Sequence, residues 1–392
     1  MLIVALILSL VLVVISIVRY KKLFNPFTIE IYFTVFFLIL PQLLIIKDLA
    51  PERHFYSDLV IIIYVLSIFL GTLVNVNSFK LRAIENVGTI NTLNILLYVA
   101  LILPMIPLFL KGGISAQGFR QFYETVVFSK YASFFELSKL VLYFIIFFKL
   151  INRQKFTPGF FFLFPLVFFY GSRFIILDSI IYLCVFLEQF KNLGIRSIIT
   201  TCLIGALFIG IYTYLQFSSG YDIHQHLVSY FDIYKNQSYV INKFIEGDFE
   251  YYHGEIYLSS YLKFIPRILW EDKPKAFGSS ILNYAIFPQS AAAGYMPSFG
   301  LGTLFADFGF YGIIFTGFLA GFFKNFFYRI FLKSKNNLSF FLFVFPFGII
   351  TSVFLIIYIV LDYFIRLVPS RPNMEGSADE EHGQIEPKAE KE

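Results

Sequence analysis

Cysteine, tryptophan and charged residues are all scarce in this sequence. Its 392 residues include two Cys and one Trp, and Asp, Glu, Lys and Arg together make up 15% of the chain. An ordinary soluble domain has roughly 25% charged residues. Cys184 and Cys202 both lie inside apolar runs without neighbouring ligand residues. A disulfide framework and a cysteine-based metal site are therefore disfavoured, and we expect both cysteines to be packing residues.

Motifs for binding nucleotide phosphates are also missing. The segment GGISAQG (112–118) is glycine-rich, but no Lys-Ser/Thr follows it, so it fits a flexible turn better than a phosphate-binding loop. The long polar segment 217–301 contains no Asp-x-Asp pair. The sequence thus predicts neither a bound cofactor nor a metal site.

Apolar side chains, in contrast, are abundant. Hydrophobic residues make up 58% of the chain, 53 residues are Phe, and the mean hydropathy is +0.73. Runs of 18 or more nearly uncharged residues can cross the roughly 30 Å of bilayer hydrocarbon. The first run, 1–18, has no basic segment before it and no small-residue cleavage site, so we expect a retained helix. The predicted spans lie near 1–18, 28–46, 59–76, 93–110, 134–151, 197–216, 302–323 and 338–361.

A further apolar stretch, 158–190, is too long for a single span and is interrupted by Gly171, Ser172 and Arg173. Two short helices that meet at this point fit it better, because Gly and Ser tolerate a turn and an Arg at mid-bilayer is costly. The predicted fold is therefore all-α, a polytopic integral membrane protein with about ten transmembrane helices and one large external loop.

The orientation follows from the Lys and Arg residues of the short loops, which concentrate on the cytoplasmic side. The large loop 217–301 and both termini are then external. The basic, acid-poor segments that we place in the cytoplasm are 19–22, 149–155, 188–196 and 324–337.

The predicted organisation has four parts. Membrane helices occupy 1–216, including the hairpin 158–190, and further membrane helices occupy 302–365. The loop 217–301 between them is too long to be structureless in a compact protein, so we expect amphipathic helices at the membrane surface. The tail 366–392 is rich in Glu, Pro and Lys without hydrophobic periodicity, and we expect it to be disordered.

A cationic, proline-containing segment, YLKFIPRILWEDKPKAFGSS (261–280), stands out within the external loop. Arg267, Lys273 and Lys275 would lie at headgroup level on the side where the positive-inside rule disfavours them. They could contact lipid phosphates. Arg267 follows a proline that restricts the backbone, and Arg can bind a diphosphate through two parallel hydrogen bonds, so a bound lipid diphosphate is the sharper interpretation.

Several of these motifs together resemble the O-antigen polymerase family, the Wzy-type polymerases of oligosaccharide repeat units. They are GSR in the membrane hairpin, HGEIY and FIPRILWEDKPKAFG in the long loop, and GYMPSFGLGTLFADFGFYGIIFTGFLAG after it. The early segment FNPFTIEIYFTVFFLILPQL (24–43) is similar to that family's second membrane segment. The hairpin departs from the commoner Gly-Ser-Arg-Gly form, since Phe174 follows Arg173.

The resemblance implies a metal-independent glycosyltransferase at the outer face of the bacterial cytoplasmic (inner) membrane. A growing glycan on undecaprenyl diphosphate would be transferred to the non-reducing end of another lipid-linked repeat unit, in lipopolysaccharide or capsule biosynthesis. The implied partners are the undecaprenyl-diphosphate-linked oligosaccharide, membrane lipids and a chain-length regulator protein, without nucleic acid.

Candidate site residues follow from the chemistry of such a transfer. A diphosphate leaving group needs cations, and Arg173 and Arg267 are the first candidates, with Lys273 and Arg120 in support. The acceptor hydroxyl needs a base, and the candidates in the HGEIY motif are His253 and Glu255.

Each candidate also has a plain interpretation. An exposed loop His is commonly just a surface residue, Glu255 could pair with a nearby Lys, and the tyrosines of this loop are ordinary residues of a membrane interface. His224 and His226 are alternative bases. Asp307 we expect to order a helix end rather than to react.

Two other functions remain open at this point. A flippase or exporter of the same lipid-linked glycan would need ionisable residues facing inward in several spans, and the predicted spans are nearly free of charge. A related O-antigen ligase shares the donor and its diphosphate.

Overall fold

The computed structural model describes residues 1–44, 55–78, 173–191, 232–262, 276–292 and 297–344, with a few single positions between these ranges. Within this part of the chain every regular element is helical and no strand occurs. The elements, numbered in chain order, are α1 (Leu2–Tyr20), α2 (Pro26–Phe33, continued by the π-helix Thr34–Ile39), α3 (Leu40–Leu44), α4 (Phe55–Leu73), α5 (Arg173–Lys191), α6 (Ile233–Ile245), α7 (Glu255–Leu262), α8 (Ser279–Ile286), α9 (Pro288–Ala292), α10 (Gly302–Ser334) and α11 (Asn337–Val344).

Four helical segments of the described part are long and apolar enough to cross a membrane. They are Leu2–Tyr20, Pro26–Leu43, Phe55–Leu73 and Gly302–Ser334, and they correspond to the predicted spans 1–18, 28–46, 59–76 and 302–323. For the described residues the predicted all-helical membrane fold is thereby confirmed, and the count of about ten spans stays a prediction. The predicted spans 93–110 and 134–151 and the first half of the 158–190 hairpin lie outside the described residues, as do most of 197–216 and of 338–361.

The basic segment 324–337, predicted to be a loop, is mostly helical. Helix α10 continues to Ser334 and ends where Lys335 adopts a left-handed backbone, with φ 49°. Helix α1 ends in the same way, at Lys21 with φ 54°. The segment 324–337 is mostly helical because Phe327, Tyr328 and Phe331 continue the buried face of α10, while Arg329 between them donates to the Val76 carbonyl.

Helices α4 and α10 pack closely against each other. The sequence of α10 contains Gly317-x-x-x-Gly321, a spacing that lets two membrane helices approach closely. A Cβ atom added at Gly321 would lie 2.0 Å from the backbone oxygen of Ile68, and one at Gly71 would lie 2.1 Å from that of Phe318. The three glycines therefore set the distance between the two helices.

One end of the bundle gathers the described parts of three basic segments that the sequence places in the cytoplasm, 19–22, 188–191 and 324–337. The Glu188 carboxylate near the end of α5 accepts hydrogen bonds from the backbone N–H groups of Leu23 (2.6 Å) and Phe24 (2.9 Å). Arg329 of α10 donates to the Val76 carbonyl at 3.0 Å, and Arg19 donates to the Leu73 carbonyl at 3.4 Å. The ends of α1, α4, α5 and α10 thus meet on one side.

Helix α6, which belongs to the loop predicted to be external, packs at the other end of α4. Tyr234 donates to the Asp58 carboxylate at 2.6 Å, and the Gln237 side chain donates to Ser57 Oγ at 2.9 Å. The Gln237 oxygen also accepts from the backbone N–H of Leu301 at 3.0 Å, just before α10 begins. Residues of the predicted external loop are therefore attached to the end of the bundle that lies opposite the basic segments.

Candidate active site

The two candidate bases lie on a tight turn, Tyr252–Glu255, which we call the HG turn. The Glu255 backbone N–H donates to the Tyr252 carbonyl at 3.0 Å, and both central residues have positive φ, 49° at His253 and 96° at Gly254. Two positive φ values in succession define a type I′ turn. Gly254 adopts this backbone readily, and His is among the residues that tolerate the left-handed region better than most.

The HG turn is bonded to a break in helix α10. Gly309 has φ 60° and ψ −146°, which interrupts the helix between its first two turns and the rest. The Ala306 and Asp307 carbonyls, just before the break, accept hydrogen bonds from the backbone N–H groups of Tyr252 (3.0 Å) and His253 (2.9 Å). The membrane helix thus holds the backbone of the turn directly.

The Asp307 carboxylate caps helix α7 from a distant part of the chain. It accepts hydrogen bonds from the N–H groups of Ile256 (3.1 Å) and Tyr257 (2.8 Å), and its side chain is buried. These are donors of the first turn of α7, which have no partner within their own helix. Asp307 therefore orders a helix end, as expected, but the end belongs to α7 and not to its own helix.

The turn presents its two polar side chains outward. His253 and Glu255 are exposed, whereas Gly254 between them is buried against Phe308, where an added Cβ would lie 2.8 Å from the ring. Tyr251 packs beneath, with its ring centroid 5.5 Å from that of Phe244. An imidazole and a carboxylate, two residues apart, are thus both exposed on a turn whose backbone is bonded to α10.

Tyrosine hydroxyls near the turn remain protonated at neutral pH. Burial, followed by the negative charges of Glu255 and Asp307, raises the pKa of Tyr252. Burial and the hydrogen bond to Tyr261 raise the pKa of Tyr257 to about 12. These phenols can therefore donate hydrogen bonds to a neutral, oxygen-rich ligand.

The predicted diphosphate-binding residues are described only in small part. Arg173 is the first residue of α5, and its side chain is outside the described residues, as are Arg267, Lys273 and Arg120. The alternative bases His224 and His226 lie there too. At about 1.5 Å of rise per residue, the backbone of Arg173 lies about 27 Å along α5 from Lys191. The Lys191 end of α5 is the one that belongs to the basic end of the bundle.

Sequence reasoning missed the dependence of this site on Asp307 and Gly309. The segment LFADFGFYG gives a partial signal, since it sets an acid two residues before a glycine in an otherwise apolar helix. The partner of the acid lies about 50 residues earlier in the chain, which no local pattern reveals.

The fold and the turn together define a multi-pass helical membrane protein with a polar site at one end of its bundle. The chain is similar to two curated proteins named O-antigen polymerase, from Salmonella typhimurium (strain LT2) and Salmonella typhi, each 26% identical over 191 residues. The predicted resemblance is thereby confirmed. The alignment covers 47% of this chain and 46% of each relative, so the chain spans about half the length of the curated relatives it matches. No family model and no solved structure matches the chain.

Proposed function

We propose that this protein polymerises lipid-linked oligosaccharide repeat units at the outer face of the cytoplasmic membrane. The observation that carries the proposal is the HG turn, which exposes His253 and Glu255, two residues apart, at the end of the bundle opposite the basic segments. The similarity to O-antigen polymerases supports the reaction class. The donor would be a growing glycan on undecaprenyl diphosphate, and the acceptor a second lipid-linked repeat unit.

The transfer requires one bond to form and one to break. An acceptor hydroxyl attacks the anomeric carbon of the donor, the bond from that carbon to the diphosphate oxygen breaks, and undecaprenyl diphosphate leaves with the electron pair. The hydroxyl proton passes to a base, for which His253 and Glu255 are the candidates. Arg173 and Arg267, supported by Lys273 and Arg120, would stabilise the leaving diphosphate through charge-assisted hydrogen bonds, so no metal ion is needed.

The experiment is complementation of a gene deletion, with gel analysis of the surface glycan. Loss of long chains with retention of single repeat units supports a polymerase, whereas loss of every form supports export. Variants His253→Asn and Glu255→Gln then test the bases. Asn tolerates the left-handed backbone at position 253, so this change removes the imidazole with little strain in the turn.

We expect the variant of the true base to shorten the chains strongly, because general base catalysis contributes roughly 10²–10⁴-fold to a rate. Protein level in the membrane should remain normal in both variants. If both variants, at normal protein levels, still make full-length glycan chains, neither His253 nor Glu255 is the base.

An exporter remains the second candidate because of a buried ion pair inside the bundle. Glu30 of α2 lies 3.9 Å from the Nζ atom of Lys324 of α10, and the Lys324 side chain is 0% exposed. Ionisable residues within membrane spans often mark a transport path. Lys324 also donates to the carbonyls of Phe343 (2.9 Å) and Val344 (3.1 Å). The ion pair therefore joins α2, α10 and α11 in one buried contact.

The double variant Glu30→Gln with Lys324→Met distinguishes the two functions. For a polymerase we expect it to keep long chains, because removing both charges leaves neither one buried alone. Lys324→Met alone should lower the protein level, since it leaves Glu30 unpaired at a cost of roughly 3–5 kcal/mol. Loss of all surface glycan in a stable double variant would favour transport.

A further inference from the structure

A groove of about 860 Å³ begins at the HG turn and runs between α7 and α8. Its sides include Glu255, Leu258 and Ser259 of α7, Phe277 before α8, and Tyr284 of α8. The volume falls within the roughly 300–1,000 Å³ of ordinary small-molecule sites. Because Glu255 belongs to both, a ligand in the groove lies beside a candidate base.

The two helices that border the groove are joined at a fixed distance. Ser259 Oγ accepts a hydrogen bond from the Gly278 backbone N–H at 2.9 Å, and α8 begins at the next residue. Gly278 has φ 55°, and a Cβ atom there would lie 2.3 Å from Ser260 Oγ. The groove therefore lies between two helices, α7 and α8, whose separation is fixed by direct contacts.

A second groove on the protein provides a contrast in chemistry. It measures about 460 Å³, lies between the membrane helices α4 and α10, and is lined by Leu70, Tyr311, Phe315 and other residues without a charge. Such a surface suits lipid chains. The groove beside the HG turn includes a carboxylate, the one charged side chain among the described residues that line it. A carboxylate repels phosphate groups and accepts hydrogen bonds from hydroxyls.

We propose that the groove between α7 and α8 binds the terminal sugars of the acceptor glycan. The inference rests on the proposed function and adds the place and the chemistry of acceptor binding. Pyranose rings carry apolar C–H faces, which would pack on Tyr284, Phe277 and Leu258, and hydroxyls, which would donate to the Glu255 carboxylate. The acceptor hydroxyl is then within hydrogen-bond reach of a base, as the transfer requires.

The test is a binding measurement that does not depend on turnover. The probe is the single repeat-unit oligosaccharide, released by mild acid from the lipid fraction of the deletion strain, with the purified full-length protein in nanodiscs. Saturation-transfer NMR should show the sugar protons in contact with the protein. We expect Tyr284→Ala to weaken binding by roughly tenfold, since it removes an aromatic stacking face. Leu258→Asp should weaken it as well, because a second carboxylate desolvates poorly against the apolar sugar face.

The matched control is Tyr311→Ala, which removes an equally large tyrosine that is 86% exposed in the apolar groove between α4 and α10. It should leave oligosaccharide binding unchanged. Thermal unfolding of each variant checks that the protein, including α7 and α8, is still folded. The proposal is overturned if both groove variants, correctly folded, bind the oligosaccharide as well as the unaltered protein, or if undecaprenyl phosphate displaces it. Either result leaves the polymerase proposal standing, because that proposal is judged by glycan chain length in the deletion strain.

Discussion

Asp307 holds the segment that carries both candidate bases, partly through its backbone carbonyl and partly through its carboxylate. Its backbone carbonyl accepts a hydrogen bond from the His253 N–H at 2.9 Å, and its carboxylate accepts one from the Tyr257 N–H at 2.8 Å, so Asp307 binds both ends of the segment His253–Tyr257. The position of both candidate bases therefore depends on it. We assign Asp307 a positioning role and not a catalytic one.

Asp307→Ala tests this role. Loss of a helix cap costs about 1 kcal/mol, up to roughly 2, and here the loss falls on the helix that begins at Glu255. We expect shorter surface glycan and faster proteolysis within 251–262, with the membrane helices still folded. Asp307→Asn, which keeps one acceptor oxygen, should restore part of the chain length.

The control is Asp248→Asn, which alters an exposed acid. Asp248 pairs with Lys243 at 2.5 Å on the surface, where an ion pair contributes little to stability. Normal chain length in Asp307→Ala, at a normal protein level, would contradict the positioning role.

The sequence predicted the candidate bases by residue type but not by geometry. His253 and Glu255 stood out because HGEIY is polar within a tyrosine-rich loop. The positive φ at His253 and the hydrogen bonds to residues about 50 positions later depend on tertiary packing, which a single sequence does not reveal. The diphosphate residues Arg173 and Arg267 stay predictions.

At the scale of elements, hydropathy located four membrane helices and misjudged the length of one. The predicted span 302–323 stops where Lys324 enters, since a charge ordinarily ends an apolar window. In the fold Lys324 is paired with Glu30 and α10 continues to Ser334. The charge of Lys324 is accommodated because Glu30 of α2 pairs with it. A hydropathy window averages consecutive residues only, so it cannot detect a partner on another helix.

The glycines of α4 and α10 give a prediction about helix packing. A methyl group at Gly321 would lie 2.0 Å from a backbone oxygen, so the helices must separate and lose the contacts on both sides. We expect Gly321→Ala to lower the unfolding temperature in detergent and the amount of protein in the membrane. Overpacking of this kind costs about 1–3 kcal/mol, and more when backbone must move.

Ile314→Phe is the companion variant, since Ile314 is 47% exposed on the same helix and can accept a larger side chain. It should leave both measurements near the unaltered values. If Gly321→Ala is as stable as Ile314→Phe, the close approach of α4 and α10 does not set their packing.

At the scale of the whole molecule, polar chemistry is divided between the two ends of the helical bundle. The ends of α1, α4, α5 and α10 meet in one basic cluster, whereas α6, α7 and the HG turn attach to the other ends of α4 and α10. The positive-inside rule predicts that the basic cluster lies in the cytoplasm. The candidate active site would then face outward, as the proposed function requires.

Cysteine labelling tests this orientation. In a background with Cys184→Ala and Cys202→Ala, one cysteine replaces Asp248, beyond α6, and in a second protein one replaces Asn77, beyond α4 at the basic end. Both positions are exposed. We expect an impermeant maleimide to label position 248 in intact spheroplasts and position 77 only after lysis, because the bilayer separates the two ends. Labelling of 77 but not 248 before lysis would reverse the orientation, and labelling of both would contradict the division of the bundle into two sides.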